Sequence, residues 1–371
     1  MKIERAKDYS NNNRLLKICY LADLPSIHTQ NCLRFFSDRG HKISVITFRD
    51  GPFRKGKVYY MKSVIPRRIR YLLKVGQMRR LIAGEKPDVL LAQFLTSYGF
   101  LGALTGFKPF VVWTQGSDVL LSPQRLPILK QFAKFALKKA DMVISPASHV
   151  TERLVDLGCK KENIITLQYG VDTKVFFPAR ESGNKRNFSV ISTRTLKRIY
   201  NVDLLVRGIP YVIERLPNTD FVIIGEGSRR KSLQKLAFSL KVAKYVSFLG
   251  RVSQREIASR LRNSDVYVST SLSDGASLSL LEAIACGVFP VVTDIPANKE
   301  WIRSGENGFL VPVDNPKVLG DCIVQALQDD KLRDTARAKN LSIIHERGRS
   351  RNNLLKIEKK IVELVSRYKN R

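Results

Sequence analysis

The chain has 371 residues, enough for two domains with full cores, and its 44% hydrophobic content is ordinary for a globular protein. Five cysteines without C-x-x-C spacing and four scattered histidines argue against a disulfide framework and a structural zinc site, and for reduced thiols in a cytoplasmic setting. A formal net charge of +31 makes anionic membranes, nucleic acid and anionic substrates the partner classes to weigh.

The polar start, MKIERAKDYSNNNR, lacks the apolar core of a signal peptide and reads as a short lead. Leu15 to Leu21 is a buried-type strand, residues 25–30 a loop, and Asn31 to Arg39 a helix ending at Gly40. Ile43 to Phe48 is the next strand. Strand, loop, helix, strand at short spacing argues for a doubly wound α/β domain, whose ligands bind at the carboxyl ends of strands. That places His28 beside such an end. Arg49 to Lys86 is strongly basic, with Asp50 and Glu85 its only acids. Within it Tyr71, Val75, Met78 and Ile82 form a helical stripe. Flanked by Arg67, Arg68, Arg70, Arg79 and Arg80, this helix could dock on an anionic membrane surface or pack its stripe on the sheet.

The longest uncharged run, Val89 to Phe107, contains Gln93, Thr96, Ser97 and three glycines, so it reads as strand, loop and helix rather than a span. Phe110 to Trp113 is a strand followed by Gln115-Gly116-Ser117-Asp118. Residues 140–145 and 164–167 are further strands around a helix at 148–157. Pro, Gly, Ser and charge replace the apolar periodicity at Phe177 to Asn187, which reads as a linker. The element order then restarts at Phe188. Phe188 to Ser192 is a strand, followed by a loop carrying Arg194, Lys197 and Arg198. Phe221 to Ile224 ends in Gly225-Glu226-Gly227, and Tyr245 to Leu249 in Gly250-Arg251-Val252. A basic helix, Asn352 to Tyr368, closes the chain.

The stretch from Ser269 to Thr293 has the most chemistry. An apolar strand leads into Asp274-Gly275-Ala276-Ser277, then a helix from Leu278 to Cys286, a stop at Gly287 and a second strand. Small residues at an electropositive helix N-terminus suit a diphosphate. Glu282, about one turn into the helix, suits vicinal sugar hydroxyls.

This stretch resembles the acidic signature of retaining glycosyltransferases of the GT-B fold, family 4: two carboxylates separated by seven residues, an A-x-x-C-G helix end, then P-V-V. Asp274 stands for the first family Glu, and Glu282 is the second. The resemblance runs from about Lys17 to the end of the chain. It implies two Rossmann-like doubly wound domains facing a central cleft: an acceptor-side domain at 1–176, a linker at 177–187, and a nucleotide-sugar domain at 188–345. It also implies that the helix at 346–371 crosses back to the first domain. Gln115-Gly116-Ser117-Asp118 resembles the family H-G-x-D segment, with Gln115 for His and Gly116, Ser117 and Asp118 on the acceptor side. Arg194 takes the family Arg that grips the donor diphosphate. The family Lys falls at Tyr200 after a one-residue insertion, so Lys197 or Arg198 would supply the second charge. Gly225, Arg251 and Val252 match donor-side segments, and the amides of Gly275, Ala276, Ser277 and Leu278 would meet the phosphates.

The implied activity is transfer of a sugar, with retention, from a nucleoside-diphosphate sugar, UDP-linked by expectation, to a glycan or lipid-linked acceptor. Arg194, Asp274, Gln115 and His28 would line the reacting centre, with no cofactor and no metal required. The implied location is the inner face of a membrane, as a peripheral protein. The other readings are a sugar-nucleotide epimerase of the same fold, and a non-enzymatic membrane- or nucleic-acid-binding protein. The last predicts charge clustered with exposed aromatics, whereas the aromatics here sit mainly in apolar runs, which makes nucleic acid an unfavoured partner.

Overall fold

The computed structural model describes residues 14–61, 73–179 and 187–370. The chain divides into two compact units, Met1–Leu167 with Leu354–Arg371, and Gln168–Asn353. The change of unit falls at Leu167, before the expected end of the first domain at Phe176. The reason is packing: Val171 and Phe176 are buried in a cluster with Ile191, Tyr267 and Leu281 of the second unit. Most of the expected linker, residues 180–186, lies outside the described residues.

The first unit holds an all-parallel sheet in the order β3-β2-β1-β4-β5-β6-β7. Its strands are β1 (Lys17–Leu21), β2 (Lys42–Thr47), β3 (Lys57–Tyr60), β4 (Val89–Gln93), β5 (Phe110–Trp113), β6 (Met142–Ser145) and β7 (Ile164–Thr166). Near-continuous apolar runs such as VLLAQ in β4 fit strands covered on both faces. Strand order reverses between β1 and β4, which pair in register from Ile18 with Val89 to Leu21 with Ala92. Their carboxyl ends therefore open on the switch point of the sheet.

Around this sheet lie the Ile27–Asp38, Val75–Glu85 and Pro127–Lys139 helices, among others. Met78 and Ile82 of the basic stretch are buried in the core, with Val75 packed against it. The apolar stripe thus faces the sheet, while Arg79 and Arg80 face solvent. Tyr71, Arg67, Arg68 and Arg70 lie outside the described residues. The C-terminal helix, Ser350–Lys369, is tied to this unit through Glu358, which pairs with Arg39 at 3.1 Å and with His41 at 2.7 Å. Lys369 adds an exposed pair to Asp88. Among the described residues no helix is long and apolar enough to cross a membrane.

The second unit holds another parallel sheet, in the order β10-β9-β8-β11-β12-β13. These strands are β8 (Phe188–Ser192), β9 (Thr219–Ile224), β10 (Val246–Gly250), β11 (Val266–Ser269), β12 (Phe289–Thr293) and β13 (Phe309–Val311). Order reverses here between β8 and β11, paired at Val190 with Val266 and Ile191 with Tyr267. The loops after these two strands carry Arg194 and Asp274. The topology alone therefore brings together two residues 80 positions apart.

Candidate active site

In the second unit β11 runs through a tight Ser/Asp/Gly loop into the Leu278–Ala285 helix. That helix is apolar almost all round, with Leu280, Leu281, Ala283 and Ile284 fully buried, so its position is set by the core. The amide of Leu281 donates to the Ser277 carbonyl at 3.1 Å and closes the first full turn. The amides of Gly275, Ala276, Ser277 and Leu280 donate to no group among the described residues, whereas that of Leu278 already donates to the Ala276 carbonyl at 2.9 Å. Leu278 therefore drops from the expected set of phosphate donors and Leu280 enters it. Ser277, only 1% exposed, keeps its hydroxyl buried and without a partner among the described residues.

Arg194 follows β8 and is buried against this helix start. Its Nη2 donates to Asp274 Oδ2 at 2.6 Å, and its Nη1 donates to Ser279 Oγ at 2.5 Å. The guanidinium lies 4.3 Å over the ring of Tyr200. Its Nε is buried without a partner among the described residues. Burial opposes the charge, but Asp274 and the neighbouring tyrosines outweigh it and push the guanidinium's pKa up. Arg194 and Asp274, expected to act separately, are thus partners of one ion pair.

Glu282 lies one turn along the helix. It is half-buried and makes no side-chain hydrogen bond among the described residues. Burial pushes its carboxyl up to about 7, with Arg194 opposing the shift. A half-buried carboxyl without a hydrogen-bond partner among the described residues can accept from a ligand hydroxyl.

The remaining donor-side residues divide. Lys197 and Arg198 are exposed on the loop after Arg194 and make no ion pair among the described residues. Arg251 is exposed and Val252 half-buried beyond β10. Gly225 serves a different purpose from the expected one. At φ +148° it packs against the chain itself, and a Cβ there would sit 2.3 Å from the Arg194 carbonyl oxygen. Gly227 packs equally tightly on the Leu196 carbonyl. These glycines let two backbones meet and so fix the loop that carries Arg194.

In the first unit the expected residues cluster less fully. His28 is in the first turn of the Ile27–Asp38 helix, not in a loop: Ser26 is the N-cap, and its carbonyl accepts from the Gln30 amide at 2.9 Å. Four residues expected as loop are helical because Thr29 is pinned beneath them, its hydroxyl donating to Gln93 Oε1 at 2.7 Å. Gln115 is half-buried after β5, and Gly116 adopts φ +101°. Ser117 is exposed and opens a short helix, Ser117–Leu120.

Asp118 is fully buried and unavailable to an acceptor. Its Oδ2 accepts from the Leu95 amide at 2.6 Å and its Oδ1 from the Gln115 amide at 2.9 Å. It therefore ties the loop after β4 to the loop after β5. Burial raises its pKa against these hydrogen bonds. The Leu95 contact also supports Phe94, which holds φ 81° at the end of β4, a strained value for a residue with a Cβ.

Three residues escaped the sequence reading: Ser279, Tyr267 and the ring of Tyr200. Ser279 accepts from both Arg194 and the Tyr267 hydroxyl, the latter at 2.9 Å. Its signal was faint, a second Ser in S-L-S-L-L-E.

Two family models match successive parts of the chain, "Glycosyl transferase 4-like" over residues 17–147 and "Glycosyl transferases group 1" over 173–341. The chain is a glycosyltransferase of the GT-B fold. Among its relatives is the N-acetyl-alpha-D-glucosaminyl L-malate synthase of Bacillus anthracis, 24% identical over 336 residues, covering 85% of this chain and 87% of that one. The phosphatidyl-myo-inositol mannosyltransferase of Mycobacterium tuberculosis is 32% identical over 136 residues, 35% of each chain. Among solved structures, Anabaena HepE in complex with UDP and glucose superposes with a TM-score of 0.80 at 19% identity, covering 94% of this glycosyltransferase and 100% of HepE.

Proposed function

We propose that this glycosyltransferase moves a sugar, with retention of anomeric configuration, from a UDP-sugar held in the second unit to a glycan or lipid-linked acceptor. One observation carries the reading. Beside the β8/β11 switch point, undonated helix-start amides and the buried Nε of Arg194 occur with the carboxyl of Glu282, which has no hydrogen-bond partner among the described residues. Amides and guanidinium are chemistry for a diphosphate, and a carboxylate one turn along is chemistry for a ribose diol. Gly275, Ala276, Ser277 and Leu280 would hold the phosphates, Glu282 the ribose, and Arg251 and Val252 the base side. The solved structure of HepE with UDP supports a uridine nucleotide.

Arg194 and the helix start would stabilise the leaving diphosphate, so no metal is required for that role. No carboxylate is aligned as a nucleophile by motif. Retention then follows from attack on the same face as departure, with the leaving phosphate taking the acceptor's proton. On the first unit, His28, Gln115, Gly116 and Ser117 are the acceptor-side candidates. The transferase matches favour neither an epimerase nor a non-enzymatic protein.

We place the enzyme at the inner face of an anionic membrane, as a peripheral protein. The Pro127–Lys139 helix supports this. Lys130, Lys134, Lys138 and Lys139 are exposed, no acid occurs from Val119 to Ala140, and Ile128 is 53% exposed at the helix start. Each cation near such a surface contributes about 1 kcal/mol. Two measurements test the reading. Product anomeric configuration by NMR, with turnover unchanged in EDTA, tests retention without metal; an inverted product contradicts it. Flotation with anionic vesicles should fall with salt and with charge reversal at Lys130, Lys134 and Lys138. Absence from the vesicle fraction at low salt removes the membrane part alone.

A further inference from the structure

Arg194 is held on several sides before any ligand arrives. Asp274 takes Nη2 and Ser279 takes Nη1, while Tyr200 supports the face of the guanidinium at 4.3 Å. Tyr200 is itself fixed. Thr270 Oγ1 donates to the carbonyls of Tyr200 and Asn201 at 3.1 and 2.8 Å. Asn201 sits at φ 45° and its Nδ2 donates to the Val313 carbonyl at 3.0 Å. The Leu272 amide donates to the Ile199 carbonyl at 2.9 Å. The ring therefore belongs to a loop stitched to the residues that follow β11 and β13. It occupies the place where the resembling pattern has a lysine.

We infer that Tyr200 and Asp274 are positioning residues for Arg194, and that Tyr200 contributes orientation where a lysine would contribute charge. This rests on the donor site proposed above. An arginine left loose would lose side-chain entropy on meeting a phosphate; one already stacked and paired has little left to lose. Asp274 compensates the charge of Arg194, so the pair acts as a fixed dipole that offers N–H groups in set directions. The excess positive charge at the diphosphate then comes from exposed Lys197 and Arg198.

The test uses Tyr200→Leu, which keeps apolar packing and removes the aromatic face, with Tyr200→Phe as the conservative rescue and Tyr200→Lys as the charge control. UDP and GDP are titrated calorimetrically into each full-length protein. Separately, the Arg194 Nε–H signal and its guanidinium rotation are followed by nitrogen-15 NMR without nucleotide. Tyr200→Leu should weaken UDP binding about tenfold, the scale of the side-chain entropy a loosened arginine would lose on binding, and speed guanidinium rotation. Tyr200→Phe should restore both, and Tyr200→Lys neither. Asp274→Asn should also speed the rotation. Binding in Tyr200→Lys that equals or exceeds the parent shows that charge, not orientation, was limiting, and overturns the inference. Unchanged rotation in Tyr200→Leu overturns it as well. If the parent binds neither nucleotide, the donor-site reading fails, and the rotation measurement still decides whether Tyr200 orders Arg194.

Discussion

Replacing Glu282 by Gln should change nucleotide affinity in a pH-dependent way. The half-buried carboxyl ionises near 7, because burial raises it more than Arg194 lowers it. Above that pH an ionised Glu282 accepts charge-assisted hydrogen bonds from ribose, each about 1.5–3 kcal/mol, against about 0.5–1.5 kcal/mol for a neutral pair. The difference of about 1–1.5 kcal/mol corresponds to a roughly tenfold weaker UDP dissociation constant for Glu282→Gln at pH 8.5. Near pH 5.5 the parent carboxyl is protonated, and the two proteins should agree within about twofold. The phosphate's own titration near ~6 acts on both proteins and drops out of the ratio. Calorimetric titrations at several pH values measure it. A ratio that stays flat with pH, or grows as pH falls, refutes an ionised Glu282 on the ribose. Free-protein stability gives an independent sign. A carboxyl raised in the fold binds more protons when native than when unfolded. Its contribution is therefore full below the unfolded value of about 4.3 and is lost as pH rises toward 7. Glu282→Gln should flatten that part of the stability profile.

Gly225→Ala should destabilise the protein by about 2–4 kcal/mol in denaturant melts, since the new Cβ meets the Arg194 carbonyl at a φ that L residues rarely adopt. A melt within experimental error of the parent contradicts the close backbone packing. Asp118→Ala strands two buried amides and should cost about 2–4 kcal/mol of stability. If it instead raises acceptor KM without loss of stability, the carboxylate does reach the acceptor. Arg194→Ala should lower turnover more than Lys197→Ala or Arg198→Ala, because of the three only Arg194 has side-chain partners among the described residues. The reverse order in steady-state kinetics would move the phosphate site toward the exposed loop.

The Ser269 to Thr293 unit was legible because apolar runs, a small-residue turn and a glycine stop all agree on strand, loop, helix and strand. The observed Leu278–Ala285 helix and β12 follow that reading closely. The two-sheet architecture was legible for the same reason. What stayed hidden depends on distance or on weak local signals. The Arg194–Asp274 pair joins residues 80 apart, and only the strand order brings them together. The resemblance puts Asp274 at the reacting centre as the first carboxylate of the signature, and the structure adds that it is an ion-pair partner of Arg194. Edge strand β3 is only half-buried, so KVYY carried little periodic signal within the basic stretch. His28 reads as loop from the sequence because nothing local shows Thr29 pinned by Gln93 from β4. The Pro127–Lys139 helix has its sequence signal in Pro127 at its first position and in its recurring apolar residues. Tyr200 reads from spacing as a lost lysine; only the stacked guanidinium shows what the ring does instead.

The central claim is that the donor's diphosphate and ribose bind at the β8/β11 switch point of the second unit. A crystal structure of the enzyme with UDP tests it most directly. Phosphate density is expected within hydrogen-bonding distance of the Leu280 amide and Arg194, with the ribose hydroxyls on Glu282. UDP bound with its phosphates away from the Leu278–Ala285 helix start, or its ribose away from Glu282, contradicts it.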